Sequence, residues 1–358
     1  GSLKTFLNAM TAPDKTMYPV ASQNKQDFFN LASVYLDACL FPRILDPVQG
    51  PQILKQEGWH YEVADAGEPL KYKGVVFNEM KGVYSSPDQL HYRALKSALF
   101  RGHPIYSIDS GGDPRAIPSL TYEAFSNFHK TYYHPANARL FVYGKEDELP
   151  VEQRLALLEQ WLGEFGAPDF DADEQIPIQP LVDAPYEVEE SYPVDPNGKQ
   201  APTQFVTLSW LLNTEPLDPK TKLAFGVLND LLLGTSSAAL QKPLLESQLG
   251  ASVVGGGYGS SLQQAAFSVG LKGVATGAEA KQQVSDLILS TLSGIAEGGF
   301  DDTAIEASMN TVEFRLRASS ASPMKGLSFM MGAMSEWNYG RDPIAPLRFE
   351  ETLSQLKA

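Results

Sequence analysis

The chain has 358 residues, which is too long for one compact core and fits two domains. Hydrophobic residues make up 43% and charged residues 20%, so a disordered or collagen-like chain is excluded. The net charge of −15 argues against a nucleic-acid partner, because phosphate binding needs a basic surface; it is compatible with a cavity that attracts basic peptides. The single cysteine, Cys39, excludes an intrachain disulfide and is interpreted as a small buried hydrophobic residue.

The start of the chain predicts a piece of a larger protein. Gly1-Ser2 resembles the scar of a protease cleavage, and no charged-then-apolar leader follows it. We find no apolar run of the ~18 residues that cross a membrane. The sequence therefore predicts a soluble chain without a membrane partner.

The first half of the chain predicts a hairpin followed by helices. In residues 3–21, apolar and polar residues alternate on both sides of a Pro13-Asp14 turn. This pattern predicts a strand, a turn and a second strand. Helical spacing of apolar residues predicts six helices, at 27–40, 52–58, 72–84, 88–100, 120–133 and 152–165. Residues 138–143 are β-formers and predict one more strand.

A proline-rich stretch predicts the domain boundary. Seven prolines lie between residues 166 and 202, and proline fixes φ and removes a hydrogen-bond donor. We therefore expect a first domain at 1–165, a linker at 166–202 and a second domain at 203–358.

The second domain repeats the order strand, then helix. Strands are predicted at 204–211 and 267–273, and helices at 219–233, 238–248, 278–298 and 301–318. The glycine run at 255–259 has no phosphate-binding lysine and is interpreted as a mobile loop. The class is α+β, with helices on one face of antiparallel sheets.

Few residues suggest chemistry by spacing alone. All five histidines precede residue 135 and no two are three or four apart, so they are interpreted as surface or hydrogen-bonded residues. Glu79 lies between Phe77 and Met80 on a predicted helix, with Val75 and Val83 one turn away. A carboxylate on a buried stripe needs a cation, a metal or a donor; the alternative is a partly exposed glutamate beside the stripe.

Several motifs of the chain match one peptidase family. They are Leu7-Asn8-Ala9-Met10-Thr11, Gln56-Glu57-Gly58-Trp59-His60, Asn78-Glu79-Met80-Lys81, Ser110-Gly111-Gly112-Asp113-Pro114 and Tyr132-Tyr133-His134-Pro135. On these motifs the chain resembles the presequence proteases, zinc peptidases of the pitrilysin (inverzincin) group, along nearly its whole length. It is most similar to the plant or algal organellar type.

The resemblance implies a fold and a set of site residues. The fold is two tandem α/β-roll domains like those of mitochondrial processing peptidase, with the first roll truncated at its N-terminus. In the family, zinc is held by the two histidines of a His-x-x-Glu-His motif and by a distal glutamate, which the resemblance equates with Glu79. Asn8, Ala9 and Met10 resemble the active-site edge strand, to which the substrate adds as an extra strand. The His-x-x-Glu-His motif is absent, so the isolated chain is expected to be inactive and to hold zinc poorly.

The resemblance also implies a function for the intact protein. It would be an ATP-independent zinc metalloendopeptidase of the chloroplast stroma or mitochondrial matrix. It would degrade cleaved transit peptides, presequences and other short, unfolded, basic peptides. The C-terminal half of the same polypeptide would be the partner of this chain in the intact enzyme. The alternative is a non-catalytic peptide-binding or scaffolding subunit of the same superfamily, and a third possibility is a two-domain α+β protein without a site.

Overall fold

The computed structural model describes residues 5–63, 65–168, 175–194 and 203–358. It divides the chain into two compact units. Unit 1 comprises residues 1–90 and 104–175, and unit 2 comprises residues 91–103 and 176–358. Within the predicted linker, residues 175–194 contain neither helix nor strand, while 169–174 and 195–202 lie outside the described residues.

Unit 1 begins with a long two-stranded hairpin. Its first arm contains β1 (Thr5–Leu7) and β2 (Met10–Ala12), and its second contains β3 (Lys15–Met17) and β4 (Val20–Ser22). β1 pairs with β4 and β2 with β3, both antiparallel. The turn lies at residues 13–14, because proline and aspartate favour turn positions. The predicted hairpin is confirmed.

The helices of unit 1 follow the predicted order. They are α1 (Lys25–Leu40), α2 (Gln49–Ile53), α3 (Val75–Val83), α4 (Pro87–Leu99), α5 (Tyr122–Tyr132) and α6 (Val151–Leu162). Side-chain caps set two of the starts: Asn24 accepts from the Asp27 amide, and Thr121 accepts from the Ala124 amide. Helix α4 begins in unit 1 and ends in unit 2.

Two predictions for unit 1 are wrong. Residues 72–74 are not helical, because a second hairpin of β5 (His60–Glu62) and β6 (Lys71–Lys73) precedes α3. Residues 138–143 have neither helix nor strand. A segment becomes a strand only where it pairs with another strand. Residues 138–143 pair with no strand among the described residues, so their β-propensity alone does not make them one.

The absence of a membrane partner stays a prediction, although one helix meets the length and composition of a membrane span. Lys25–Leu45, which contains α1, is long and apolar enough to cross a membrane by length and composition, and none of it is buried. Polar residues such as Asn30 and Asp37 interrupt it, so no uninterrupted apolar run was visible in the sequence. The same composition is typical of a helix whose apolar face packs on protein.

Unit 2 is built on a three-stranded antiparallel sheet. Its strands are β7 (Thr203–Leu211), β8 (Ser252–Gly259) and β9 (Ala266–Ala275), in the order β7-β9-β8. The helices are α7 (Pro219–Leu233), α8 (Gln241–Glu246), α9 (Ala278–Gly298), α10 (Asp302–Ala321), α11 (Lys325–Trp337) and α12 (Phe349–Lys357). The predicted antiparallel α+β class is confirmed.

The core of unit 2 lies between this sheet and its helices. Val206, Val269 and Leu271 from the sheet pack with Leu244 and Ile288 from α8 and α9. Alternation along β9 places Val269 and Leu271 on one face of the sheet. Burying each such side chain contributes roughly 1.5–3 kcal/mol.

The glycine run is a strand and not a mobile loop. Gly255, Gly256 and Gly257 all have positive φ and form a bulge in β8, where the register with β9 shifts. A Cβ on Gly255 would lie 2.6 Å from the Ser268 backbone. Glycine therefore allows β8 to approach β9 closely at this point.

Candidate functional site

Glu79 lies on the exposed face of α3. Phe77 and Met80 are the buried residues of that helix, whereas Glu79 is exposed together with Val75 and Val76, which are 55% and 39% exposed. Glu79 is two residues from Phe77, about 200° around the helix axis. The hypothesis of a carboxylate on a buried stripe is therefore wrong, and the exposed alternative describes this chain. Apolar spacing alone did not show which of two apolar faces is covered.

Two glycine-dependent contacts fix the position of α3. Gly74 precedes the helix with φ 144°, and a Cβ there would lie 2.1 Å from the Gly58 carbonyl oxygen. A Cβ on Gly111 would lie 2.6 Å from the Met80 sulfur, so the 110–114 segment packs against the buried face of α3. These contacts hold the helix that presents Glu79 and give Gly74 and Gly111 a packing role.

The residues of this chain do not form a zinc site on their own. Across residues 5–63, 65–168, 175–194 and 203–358, no three His, Cys, Asp or Glu side chains are grouped so that they could hold a metal ion. Protein zinc sites use three or four such ligands. Glu79 offers one exposed carboxylate, which does not fit a complete zinc site.

Every histidine has a hydrogen-bond partner. The pairs are His60 Nδ1 with Lys55 O, His91 Nε2 with Thr207 Oγ1, His103 Nε2 with Pro177 O, His129 Nε2 with Cys39 O, and His134 Nδ1 with Ala136 N. Their donor–acceptor distances are 2.6–3.1 Å. Three of the rings must donate, because a carbonyl can only accept. The interpretation of the histidines as hydrogen-bonded residues is confirmed, and His91 and His103 belong to unit 2.

Asn8, Ala9 and Met10 form the middle of the first hairpin arm. Asn8 and Ala9 are exposed and lie between β1 and β2, and Met10 begins β2. The Asn8 amide donates to the Pro19 carbonyl at 3.2 Å, and the Asn8 side chain accepts from the Ala9 amide at 2.9 Å. The ladders of β1 and β2 have two strands each, so within the described residues the outer edge of this arm has no paired strand. An unpaired strand edge is the kind of surface to which extended peptides add.

A cluster of titratable side chains in unit 1 was not visible in the sequence. Tyr18 and Tyr133 hydrogen-bond through their hydroxyls, and the His129 ring stacks on Tyr133 at 4.4 Å. Burial raises the pKa of Tyr18 and lowers that of His129, and it raises the pKa of the Cys39 thiol to about 11. Tyr18, His129 and Cys39 are therefore neutral at pH 7, as packing residues would be. His129 and Tyr133 are one turn apart at the end of α5, but Tyr18 and Cys39 come from two other segments, so no local spacing relates all four.

The chain is similar to curated presequence proteases and to related proteins. It is 48% identical over 358 residues to presequence protease 1, chloroplastic/mitochondrial, of Arabidopsis thaliana, and 40% identical over 362 residues to protein HypA of Clostridium perfringens. Both matches cover 100% of this chain, which spans only 32% and 36% of the two relatives, about a third of their length.

The fold and a family model agree with this similarity. A peptidase M16 inactive domain from Pseudomonas fluorescens matches with a TM-score of 0.61 at 16% identity, over 99% of this chain and 74% of that one. The family model for the peptidase M16 inactive domain matches residues 119–312, more than half of the chain. The chain therefore belongs to the M16 peptidase family.

Proposed function

We propose that this chain is part of an organellar zinc metalloendopeptidase of the presequence protease type, which degrades cleaved transit peptides and other short unstructured peptides without ATP. The observation that carries the proposal is the 48% identity with the Arabidopsis presequence protease over the full 358 residues. The chloroplast or mitochondrial location expected from the resemblance agrees with that relative's name. Since the chain spans a third of this relative, the activity belongs to the longer protein.

The hairpin arm at Asn8–Met10 supplies the peptide-binding edge in this proposal. An extended peptide bonds to the backbone of the arm, and such main-chain pairing is insensitive to peptide sequence. This suits an enzyme that degrades many different peptides. The net charge of −15 favours basic peptides such as organellar targeting sequences.

Glu79 supplies one carboxylate ligand to zinc in the same proposal, and the other ligands come from parts of the protein outside this chain. The exposed position of Glu79, one turn after the exposed Val75 and Val76, supports this, because such a face suits contact with another segment. The chain on its own is then inactive, since it holds no complete metal site within its described residues.

The test uses the longer protein and its Glu79→Gln variant. We expect the variant to lose at least about tenfold in zinc affinity and to stop cleaving a transit peptide, because zinc sites need three or four ligands. Zinc content is measured by atomic absorption after dialysis, and cleavage by mass spectrometry. Glu123→Gln, an exposed glutamate on α5, is the matched control and retains both. Full zinc content and unchanged turnover in Glu79→Gln would refute the ligand assignment.

The second candidate is a non-catalytic peptide-binding or scaffolding subunit. The absence of any three-residue metal cluster in the described part of the chain favours it over catalysis by this chain alone. It predicts that the longer protein binds peptides without cleaving them, with or without added zinc. Chelator-sensitive cleavage by the longer protein would exclude it.

A further inference from the structure

A hollow of about 440 Å³ lies beside α3 in unit 1, on a different face from Glu79. Strand β6 with the residue before it lines one side, and Phe77, Asn78 and Lys81 of α3 line the other. Phe77, Asn78 and Lys81 share one face of the helix, because they are spaced three and four residues apart. The hollow is therefore framed by two regular elements and does not depend on a loop.

The hollow is cationic although the chain is acidic. Lys71, Lys73 and Lys81 line it and no carboxylate does, whereas the whole chain has 43 acidic and 28 basic residues. Lys71 and Lys73 also contact glutamates outside the hollow, Glu68 at 3.1 Å and Glu62 at 3.5 Å. Within the described residues, the Lys81 ammonium has no ion-pair partner. The free charge of Lys81 therefore favours a ligand that carries negative charge.

The hollow also has an apolar wall. The Tyr72 and Phe77 rings contact each other with centroids 5.8 Å apart, and Tyr72 is 43% exposed. Covering such aromatic surface is favourable, so a ligand with an apolar body gains more than a bare anion. Inorganic phosphate has no such body, and an internal Asp or Glu brings only one or two methylenes.

We propose that this hollow binds the C-terminal residue of a peptide. The free carboxylate contacts Lys81 and the Asn78 amide, and an apolar C-terminal side chain covers the exposed Tyr72 ring. Only the class of ligand, a short peptide, rests on the proposed function; the binding itself requires neither zinc nor hydrolysis. The peptide end would thereby be held on the helix that also carries Glu79.

The test is direct binding to the 358-residue chain. The probes are short unstructured peptides with an N-terminal fluorophore and a C-terminal leucine, made as the free acid and as the amide, and binding is followed by fluorescence anisotropy at low salt. We expect the free acid to bind about fivefold more tightly than the amide, which corresponds to one exposed ion pair of ~1 kcal/mol. The difference should shrink as salt is raised.

Variants locate the binding. Lys81→Gln should remove the preference for the free acid, and Lys81→Arg should restore it, while Lys130→Gln, an exposed lysine on α5, should leave it unchanged. Equal affinities for acid and amide in the wild type would overturn the proposal. It would equally fall if an amidated peptide with an internal glutamate bound as tightly as the free acid. Either failure leaves the zinc and cleavage test of the longer protein unaffected.

Discussion

The guanidinium of Arg315 lies 2.8 Å from Oδ1 of Asp230 and joins α10 to α7 inside unit 2. The Asp230 side chain is only 6% exposed, whereas that of Arg315 is 61% exposed. The hydroxyl of Ser308 donates to the other carboxylate oxygen at 3.0 Å. The buried charge of Asp230 is therefore neutralised from the surface by Arg315, which lies seven residues after Ser308 on α10.

Removing this partner should destabilise unit 2. Arg315→Ala leaves the Asp230 carboxylate buried without its cation and should lower the free energy of unfolding by about 2 kcal/mol. This loss is smaller than that expected for a fully buried ion pair, because the Arg315 side chain is largely exposed. Arg317→Ala, which removes a surface pair with Glu313 on the same helix, should cost less than about 1 kcal/mol. Urea denaturation measures both, and equal losses would contradict the assigned burial of Asp230.

The bulge in β8 predicts a contrast between adjacent glycines. A Cβ on Gly257 would lie 2.2 Å from Asn229 Oδ1, which accepts the Tyr258 amide at 2.8 Å, whereas a Cβ on Gly256 meets nothing within 4 Å. Both residues have positive φ. Gly256→Ala should therefore lower the free energy of unfolding by only about 1 kcal/mol, the cost of backbone strain. Gly257→Ala should lower it by at least about 2 kcal/mol, because the hydrogen bond between Asn229 and Tyr258 must also shift. Thermal unfolding of the two variants checks this, and a larger loss for Gly256→Ala would show that the bulge is misplaced.

His129 should make stability depend on pH. Burial lowers its pKa below the ordinary value of about 6.5, so the unfolded chain binds a proton that the folded chain does not bind. The free energy of unfolding should therefore fall as pH drops below about 6.5, and His129→Gln should remove this part of the slope. The ring protons of His129, followed by NMR, should titrate below 6.5. A titration at or above 6.5 would contradict the prediction.

Cys39 should react slowly with thiol reagents. Burial raises its thiol pKa to about 11, so near pH 8 the folded chain holds roughly a hundredfold less thiolate than the unfolded chain. Alkylation by iodoacetamide should be slower by about that factor in the folded chain than in urea. Mass spectrometry gives both rates. Comparable rates would show that the thiol is freely accessible and not a packing residue.

The sequence predicted most elements of the fold because their signals are local. The apolar spacing within a single helix, as at 219–233, and the Pro13-Asp14 turn are each read from neighbouring residues. The glycine run of β8 was misread because three consecutive glycines have no side-chain pattern. Its structure comes from pairing with β9, which is distant in sequence.

The site was less predictable, since it depends on which surfaces are covered. The spacing of Val75, Phe77, Met80 and Val83 shows that α3 has apolar faces, but only tertiary packing selects the face at Phe77 and Met80 as the buried one. Likewise, the bond between His129 and the Cys39 carbonyl joins residues 90 positions apart. The resemblance to presequence proteases located Glu79 and Asn8 in a known family, which spacing did not.

The hydrogen bond from the Ala9 amide to the Asn8 side chain has a consequence for the behaviour of the chain in solution. A strand edge with every amide vacant attracts other chains and promotes aggregation. Here one donor on the first hairpin arm is already satisfied by its neighbour, so an arriving strand must break that bond before it can use the amide. Non-specific strand pairing is thereby disfavoured. Only a segment whose carbonyl replaces the Asn8 side chain as the acceptor of the Ala9 amide forms every backbone hydrogen bond along this arm.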